Sequence, residues 1–519
     1  MFILLMYVPT WILTRGQYFR LDTDYDALLP LYYFLVDFVR HHGAIPTWNP
    51  YIGTGIPVLG DPLSAVANPI LTGGILLFGV ETGVRLTIGI IFFLAALSMW
   101  WFLSRLHIRG WLRVWGSLLF ASAGNMIAYI RAGHIPELLV YPAVPMLLYY
   151  VTKKTLLWKD SIVFSLLLAY VWYSGYTYML WFVLIFLTVS WLYYSLSRPA
   201  FQSLVALVRF TGVAVLFVVF SWPKTYEYIN DVGPNLERVF TIDPYAGSIH
   251  SIWFPLGWVM PLQAMFYDRP FFQRMFGFYY NWYEYYAFIT PFPFFFLVSL
   301  RSLLKKPIIQ LFLVLLVSSA LYIALRFSYS PFYWIYHLVP FARTFRVPQR
   351  IYEPSVAVII ALLVLCAKVW FSSRTPQRKK LGLIVCIASL VGTSMTTQYS
   401  LLATFESPRT EAQLVAKKLR AADSGVFFVA TFACCQTFLV QEDVPIINYY
   451  YGWRQKQSPN FIRSDNSGSN YDLLYSVRPT YVIASKDSDF TEYGYARFQS
   501  YQTVVVWKTE HPNVFPEIL

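Results

Sequence analysis

Long apolar stretches alternate with short polar connections from the start of this chain to about position 400. Most of these stretches approach the roughly 20 residues that a helix needs to cross about 30 Å of hydrocarbon. We therefore predict about eleven membrane-spanning helices, near residues 1–14, 84–104, 111–130, 135–151, 161–175, 177–195, 203–222, 285–300, 307–325, 350–371 and 380–397. The first is interpreted as a retained helix, because no charged segment precedes it as one would in a cleaved signal.

The pattern changes after about position 400. A polar helical segment near 409–422 is followed by short β-prone runs at Val426–Ala430, Tyr481–Ala484 and Thr503–Trp507, which Asp, Ser, Asn and Gly clusters separate. We predict two domains: an all-α polytopic membrane domain at 1–400, which includes a long loop at 15–70, and a small α/β domain at 401–519.

Composition supports a membrane protein. The 519 residues are 57% hydrophobic and only 13% charged, with a mean hydropathy of +0.49. Soluble domains carry charge on about a quarter of their residues. Four cysteines are too few for a disulfide framework.

Lys and Arg concentrate in every second loop between the predicted helices. Basic residues in short loops resist translocation, so these loops are expected to be cytoplasmic. They carry Arg105, Arg109, Arg113, Lys153, Lys154, Lys159, Arg198, Arg301, Lys305, Lys306, Arg374, Arg378, Lys379 and Lys380. Residues 15–70, 131–136, 223–284, 326–349 and everything after 398 are then extracytoplasmic, with the N-terminus inside. This topology accounts for much of the net charge of +13, and no nucleic-acid partner is predicted.

Carboxylates cluster directly after the first predicted helix. Asp22, Asp24 and Asp26 lie within five residues, and Asp61 closes the same loop. Like charges beside lipid raise one another's pKa, and a carboxylate tuned in this way can accept a proton from a hydroxyl nucleophile. We predict that Asp22 or Asp24 is a catalytic base and that Asp26 and Asp61 contact substrate. The alternative is a hydrated acidic patch beside the membrane.

Basic side chains at the outer ends of later helices could bind a phosphate group of a substrate. Arg343, Arg346 and Arg350 precede a predicted helix on the side where basic residues are sparse, and guanidinium groups bind phosphate in a bidentate manner. Snorkelling to lipid headgroups is the alternative role. His134 and Glu284, each at an outer helix end, are further substrate-binding candidates, although a lone histidine is more often structural.

Nucleotide-driven chemistry has no support, because no P-loop, dinucleotide-binding GxGxxG context, HExxH or GxSxG motif occurs. A closed His/Cys metal site is not predicted either. A Mg²⁺ or Mn²⁺ ion held by Asp22 and Asp24 remains open as a cofactor.

Several motifs occur in an order that resembles the bacterial YfhO-like membrane proteins. These are the Asp cluster, Pro46–Pro50 (PTWNP), Gly53–Pro57 (GTGIP), Ala132–His134 (AGH), Phe345–Arg350 (FRVPQR) and Arg478–Ile483 (RPTYVI). That group resembles the GT-C superfamily of polytopic glycosyltransferases. The resemblance implies a GT-C-like fold in a bacterial plasma membrane, and transfer of sugar from a polyprenyl-phosphate donor to an extracytoplasmic glycan or polymer, with an Asp of the first outer loop as base.

Two other functions remain open from the residues alone. A flippase or transporter of lipid-linked saccharides would need polar groups in mid-membrane and broken helices in paired halves, whereas the polar candidates gather at the outer rim. A non-catalytic envelope scaffold would act through the C-terminal domain. In every case membrane lipids are direct partners.

Overall fold

The protein is described here by a computed structural model. The described residues are 11, 14–15, 17–19, 23–49, 56–61, 63–196, 200–232, 236–238, 288–325, 348–372, 375–402, 404–406, 410–422, 429–431, 453–455, 480–485, 491, 495–500 and 504–509.

Helices dominate the described part of the chain. They are α1 Tyr25–His42, α2 Pro69–Phe78, α3 Val80–Arg105, α4 Trp111–Ala121, α5 Gly124–Ala132, α6 Ile135–Val140, α7 Val144–Thr152, α8 Trp158–Tyr173, α9 Thr177–Ser195, α10 Ala200–Glu227, α11 Pro307–Leu325, α12 Tyr352–Ser372, α13 Pro376–Leu402 and α14 Thr410–Ala422. Short 3₁₀ segments occur at Tyr141–Ala143, Phe292–Ser302 and Pro348–Ile351, and a π-helical turn follows α10 at Tyr228–Val232.

Six helical stretches among the described residues are long and apolar enough to cross a membrane. They are Val80–Arg105, Ile135–Thr152, Thr177–Ser195, Leu207–Asn230, Tyr352–Ser372 and Pro376–Tyr399. The chain is therefore a multi-pass membrane protein, as predicted, although the full count of about eleven stays a prediction. The predicted helix at 1–14 lies almost wholly outside the described residues.

Two predicted helices differ from the structure in detail. The segment 111–130 is divided into α4 and α5 at Ser122–Ala123, where Ala123 has an extended backbone. The segment 285–300 contains a 3₁₀ helix from Phe292, after Thr290 at φ +77°. Pro291 and Pro293 lack the N–H groups that a continuous α-helix would need there, which favours the tighter turn.

By contacts, the chain divides into two compact units. Unit 1 comprises residues 1–14, 86–222 and 242–404, and unit 2 comprises 15–85, 223–241 and 405–519. Unit 1 ends close to the predicted boundary at 400, but the first long loop belongs to the same unit as the C-terminal segment. The division into domains at 1–400 and 401–519 stays a prediction.

Helix α12 is the core of unit 1. It packs against α4, α7, α11, α13 and the 3₁₀ segment Phe292–Ser302, and its residues are buried almost throughout its length. Close approach to α4 depends on Gly116, because a Cβ at this position would lie 2.5 Å from Cγ2 of Val364. Val364 is β-branched and buried, so it has little room to move.

The two ends of α12 differ in the loops that they contact. Near the C-terminal end, Lys368 Nζ donates to the carbonyl of His107, in one of the predicted cytoplasmic loops. Near the N-terminal end, Glu353 accepts the hydroxyl of Tyr129 in α5. Fifteen residues of helix separate Glu353 from Lys368, which corresponds to about 22 Å. One end of α12 therefore contacts a predicted cytoplasmic loop, and the opposite end contacts α5 close to the predicted extracytoplasmic segment 131–136.

Unit 2 anchors the start of the first long loop. Strand β1 (Tyr18–Phe19) pairs antiparallel with β5 (Phe405–Glu406). The guanidinium of Arg85 lies 4.1 Å from the ring centroid of Phe405 and donates to the carbonyl of Gln17. A two-stranded hairpin, β2 (Trp48–Asn49) with β3 (Ile56–Pro57), follows α1 in the same loop, and β4 (Leu236–Arg238) pairs antiparallel with β7 (Trp453–Gln455).

The C-terminal segment contains a small mixed sheet of four strands in the order β6 (Val429–Thr431), β8 (Tyr481–Ser485), β10 (Val504–Lys508) and β9 (Ala496–Ser500). Strand β6 runs parallel to β8, and the other pairs are antiparallel. The predicted helix at 409–422 and the three β-prone runs correspond to α14, β6, β8 and β10. Strand β9 was not predicted, because Ala496–Ser500 (ARFQS) lacks β-branched residues.

We expect Gly116→Ala to destabilise the protein by about 1–3 kcal/mol, because the added methyl group overpacks the contact between α4 and α12. The matched control is Gly73→Ala in α2, where a Cβ meets nothing within 4 Å. There, the better helix propensity of alanine should leave stability unchanged or raise it. Thermal unfolding in detergent would measure both, and equal stability of the two variants would contradict the packing argument.

Candidate functional site

His134 is held at a tight turn between α5 and α6. Gly133 ends α5 with φ +84°, and the backbone N–H groups of Gly133 and His134 both donate to the carbonyl of Tyr129 at 3.0 Å. Pro136 then begins α6, where its missing N–H costs nothing. The imidazole stacks on the ring of Tyr129 with 5.4 Å between centroids and 12° between planes. The local sequence thus fixes both the backbone and the ring of His134.

Arg350 reaches the same place from a distant segment of the chain. It precedes α12, and its Nη1 donates to Oε1 of Glu137 at 2.6 Å. Its Nη2 lies 3.4 Å from Nδ1 of His134, and that Nδ1 lies 3.4 Å from Oε1 of Glu137. The imidazole accepts from Arg350 when Nε2 carries its proton, and donates to Glu137 when Nδ1 carries it. The structure therefore brings together two residues, His134 and Arg350, that were predicted separately.

A second carboxylate completes this group. Glu353 accepts hydrogen bonds from the hydroxyls of Tyr129 and Tyr176 at one oxygen. The guanidinium of Arg350 lies 5.0 Å from the ring centroid of Tyr178 and 5.8 Å from that of Tyr176. We call Tyr129, His134, Glu137, Tyr176, Arg350 and Glu353 the His134 cluster; each member is less than a tenth exposed.

The His134 cluster lies at the end of α12 that is opposite to Lys368, among helix ends from α5, α6, α9 and α12. Buried charges are tolerated when they are paired and hydrogen-bonded, and here one guanidinium and one imidazole face two carboxylates. The arrangement supplies a guanidinium fixed in orientation, together with a titratable ring at hydrogen-bonding distance from it.

The second group of buried polar residues lies in unit 2, around Asp61. The N–H of Leu63 donates to Asp61 Oδ1 at 2.9 Å, and the N–H of Ser64 donates to the carbonyl of Asp61 at 3.0 Å. Lys224, in the last turn of α10, donates from Nζ to the carbonyl of Ser64 at 2.7 Å. Asp61 is 2% exposed and Lys224 is 0% exposed. We call Gly60, Asp61, Ser64, Lys224 and Glu227 the Asp61 cluster.

The carboxyl group of Asp61 has an unusual electrostatic setting. Burial raises its pKa to about 7, although the Leu63 N–H and the charge of Lys224 act against this rise and Glu227 adds to it. Its second oxygen, Oδ2, is buried and has no hydrogen-bond partner within the part of the chain that the structure describes. A carboxyl in this setting changes its protonation close to neutral pH.

Asp24 lies at the N-cap of α1, in unit 2. Its side chain makes no cap hydrogen bond, but a carboxylate at this end of a helix is stabilised by the helix dipole. The next residue, Tyr25, is fully buried and stacks on Phe19 at 4.3 Å, so the start of α1 is fixed against β1. Within the long loop at 15–70, this helix spans Tyr25–His42.

Several predicted site residues lie outside the described residues. They are Asp22, Glu284, Arg343 and Arg346. Asp26 lies in the first turn of α1, but its side chain is not described. Among the described residues no group of three or more His, Cys, Asp or Glu side chains could hold a metal ion. The Mg²⁺ or Mn²⁺ predicted at Asp22 and Asp24 therefore stays a prediction.

Sequence reasoning missed four charged residues of these clusters, which are Glu137, Lys224, Glu227 and Glu353. Glu137 and Glu353 each lie in the first turn of a helix beside a predicted site residue, but neither was singled out. Lys224 was missed too, although an ionisable residue within an apolar helix is a functional candidate by default. That rule, applied to the segment after residue 203, could have identified Lys224.

The chain is similar to known proteins in its fold but not in its sequence. No protein-family model matches the chain, and no curated protein matches it. The crystal structure of ArnT from Cupriavidus metallidurans in the apo state matches with a TM-score of 0.55 at 10% identity, over 98% of this chain and 97% of that chain. ArnT bound to undecaprenyl phosphate matches with a TM-score of 0.52 at 9% identity, with the same coverage. The fold of this chain is therefore similar to that of these ArnT structures.

A third match is the cryo-EM structure of the arabinofuranosyltransferase AftD from Mycobacteria, with a TM-score of 0.53 at 11% identity. This chain is covered over 98% of its length but spans only 40% of the AftD chain. At these identities the likeness concerns the fold. The narrower resemblance to YfhO-like proteins stays a prediction.

We expect the Arg350–Glu137 contact to be strongly coupled. Glu137→Leu and Arg350→Met should each cost about 3–5 kcal/mol of stability, because each leaves an uncompensated buried charge. The double variant should be more stable than the sum of the singles predicts, by about 1–3 kcal/mol. The control cycle is Asp37→Ala with His41→Ala, whose side chains are 64% and 68% exposed and should show no coupling. Additive effects in both cycles would contradict the pairing.

Proposed function

We propose that this chain is an integral membrane glycosyltransferase that transfers a sugar from a polyprenyl-phosphate donor to an acceptor outside the cytoplasm. The supporting observation is the GT-C-like fold over 98% of the chain, which it shares with an ArnT structure that holds undecaprenyl phosphate. The order of motifs that resembles the YfhO-like proteins points to the same activity.

The proposed reaction needs a base at the acceptor. A carboxylate, Asp22 or Asp24, takes the proton of the acceptor hydroxyl, and the acceptor oxygen forms a bond to the anomeric carbon of the donor sugar. The bond between that carbon and the phosphate oxygen breaks, and polyprenyl phosphate leaves with the electron pair. This reaction balances without an oxidant or a nucleotide.

The leaving phosphate needs positive charge. In the proposal, Arg346 and Arg350 stabilise the negative charge that develops on the phosphate, as preorganised guanidinium groups do. Glu137 and the rings of Tyr176 and Tyr178 hold Arg350 in one orientation in advance. His134, Asp61, Asp26, Glu284 and Arg343 are proposed to contact the substrates.

The proposed location of the protein follows from the distribution of basic residues among its loops. The basic loops contact one end of α12 and are assigned to the cytoplasm, whereas the His134 cluster lies at the other end and is assigned to the outer face of a bacterial plasma membrane. On this assignment the acceptor is a glycan or polymer of the cell envelope.

We expect Asp22→Asn, Asp24→Asn, or both, to lower the transfer rate by about 10²–10⁴-fold without unfolding the protein, because a positioned general base contributes that much. Asp37→Asn is the matched control, since Asp37 lies on the same helix as Asp24 but is exposed. The assay incubates vesicles that contain the protein with undecaprenyl-phosphate sugars and envelope glycan, and follows the labelled sugar. If neither variant nor the double variant loses transfer, this mechanism is wrong; movement of intact donor between leaflets without product would instead indicate a flippase.

The phosphate contact gives a separate prediction. Arg346→Met should weaken binding of undecaprenyl phosphate by about 10- to 150-fold, which corresponds to a lost charge-assisted hydrogen bond of about 1.5–3 kcal/mol. Arg109→Met, in an exposed loop at the basic end, should bind this lipid like the wild type. Equal weakening in both variants would indicate unspecific attraction to lipid headgroups rather than a phosphate site.

A further inference from the structure

The last turn of α10 belongs to the unit of the first long loop. The boundary between the units falls at Trp222 and Pro223, inside the helix, so that Lys224 and Glu227 lie in unit 2 with Asp61. A π-helical turn, Tyr228–Val232, follows directly. Such turns often occur at functional sites, where they re-aim side chains.

Two contacts fasten the turn at residues 60–64 to this helix end. Nζ of Lys224 donates to the carbonyl of Ser64, which lies 160 residues earlier in the sequence. Gly60 lies so close to the helix that a Cβ would be 2.8 Å from Cγ of Glu227 and 3.0 Å from its carbonyl carbon. The first contact is polar and fully buried, and the second requires a residue without a side chain. Together they fix the backbone on both sides of Asp61.

The fixed turn leaves one acceptor atom of Asp61 unused. Oδ1 is committed to the N–H of Leu63, whereas Oδ2 is buried without a hydrogen-bond partner among the described residues. Buried acceptors in native proteins are normally satisfied, so an unsatisfied one needs an explanation. A donor from a bound molecule would satisfy it. Glu227 also lies near Asp61, so the two carboxylates would repel a negatively charged phosphate. They would not repel a neutral hydroxyl group.

We propose that Lys224 is a positioning residue that fastens the Asp61 turn to the end of α10, so that Asp61 Oδ2 receives a hydroxyl of the transferred sugar. The second half of this proposal rests on the proposed glycosyltransferase function, and the first half does not. In this proposal the Asp61 cluster recognises the sugar, whereas the phosphate is left to the Arg residues of the proposed function.

The positioning half is tested by hydrogen exchange of the peptide that covers residues 58–68, in the full-length protein in detergent. Lys224→Met removes the donor to Ser64, and the amides of Leu63 and Ser64 should lose protection by about tenfold or more. Lys224→Gln keeps a donor and should retain most of the protection, which provides a second variant if Lys224→Met does not fold. Lys368→Met is the matched control, because Lys368 also donates to a carbonyl but is exposed. Unchanged protection in Lys224→Met, or equal loss in Lys368→Met, would overturn the positioning role.

The recognition half is tested with Asp61→Asn, whose amide oxygen can still accept from Leu63 and should keep the turn protected. Its dissociation constant for undecaprenyl phosphate that carries a sugar should rise roughly tenfold, because the sugar hydroxyl no longer donates to a charged carboxylate oxygen. Its dissociation constant for undecaprenyl phosphate without sugar should not change. The sugar is chosen from a panel of hexoses and pentoses by tightest binding to the wild type.

The outcomes are distinguishable. If the wild type binds no sugar-bearing lipid more tightly than undecaprenyl phosphate, or if Asp61→Asn weakens both lipids equally, sugar recognition at Asp61 is wrong. If the wild type transfers no sugar but the exchange results hold, the proposed function fails and the positioning role of Lys224 stands.

Discussion

A guanidinium buried at the end of a membrane helix is tolerated only when a carboxylate meets it, and this constraint organises unit 1. Arg350 precedes α12, a helix that is buried along most of its length, and Glu137 lies in a short helix that follows a glycine-terminated turn. Their 2.6 Å contact ties two distant segments to one point. Around this ion pair, Nδ1 of His134 lies 3.4 Å from Nη2 of Arg350, the rings of Tyr176 and Tyr178 lie beside the guanidinium, and Tyr129 stacks on His134.

The membrane-spanning helices were predictable, because the apolar environment of the lipid restricts which sequences can lie in it. Apolar length identified α3, α9, α12 and α13, because lipid requires every backbone polar group to be satisfied within the helix. The α/β character of the C-terminal segment followed from β-branched runs. Helix interruptions were less predictable: the break at Ser122–Ala123 carries no proline, and it depends on how α5 turns toward Phe288, whose carbonyl accepts from the N–H of Gly124.

The sequence allowed single residues to be proposed as site candidates, but it did not show which of them contact one another. His134 and Arg350 were each identified from their position at a helix end, but nothing in a single sequence shows that two such distant residues touch. Lys224 and the Asp61 turn illustrate the same limit, because the helix end and the loop that it holds lie far apart along the chain. A charged residue that will be buried can be recognised in the sequence because its neighbours are apolar. The residue of opposite charge that pairs with it can be identified only from the tertiary structure.

The pairing of β1 with β5 has a consequence for biogenesis. Tyr18 and its partner Glu406 lie far apart along the chain, so synthesis at about 5–20 residues per second leaves the earlier strand unpaired for roughly 20–80 s. During that interval every intervening hydrophobic segment must be delivered to the bilayer. Strand β1 therefore cannot pair until Phe405 and Glu406 have left the ribosome, and a nascent chain stopped before Phe405 would leave Tyr18–Phe19 as an open edge, available to a chaperone or to a neighbouring copy.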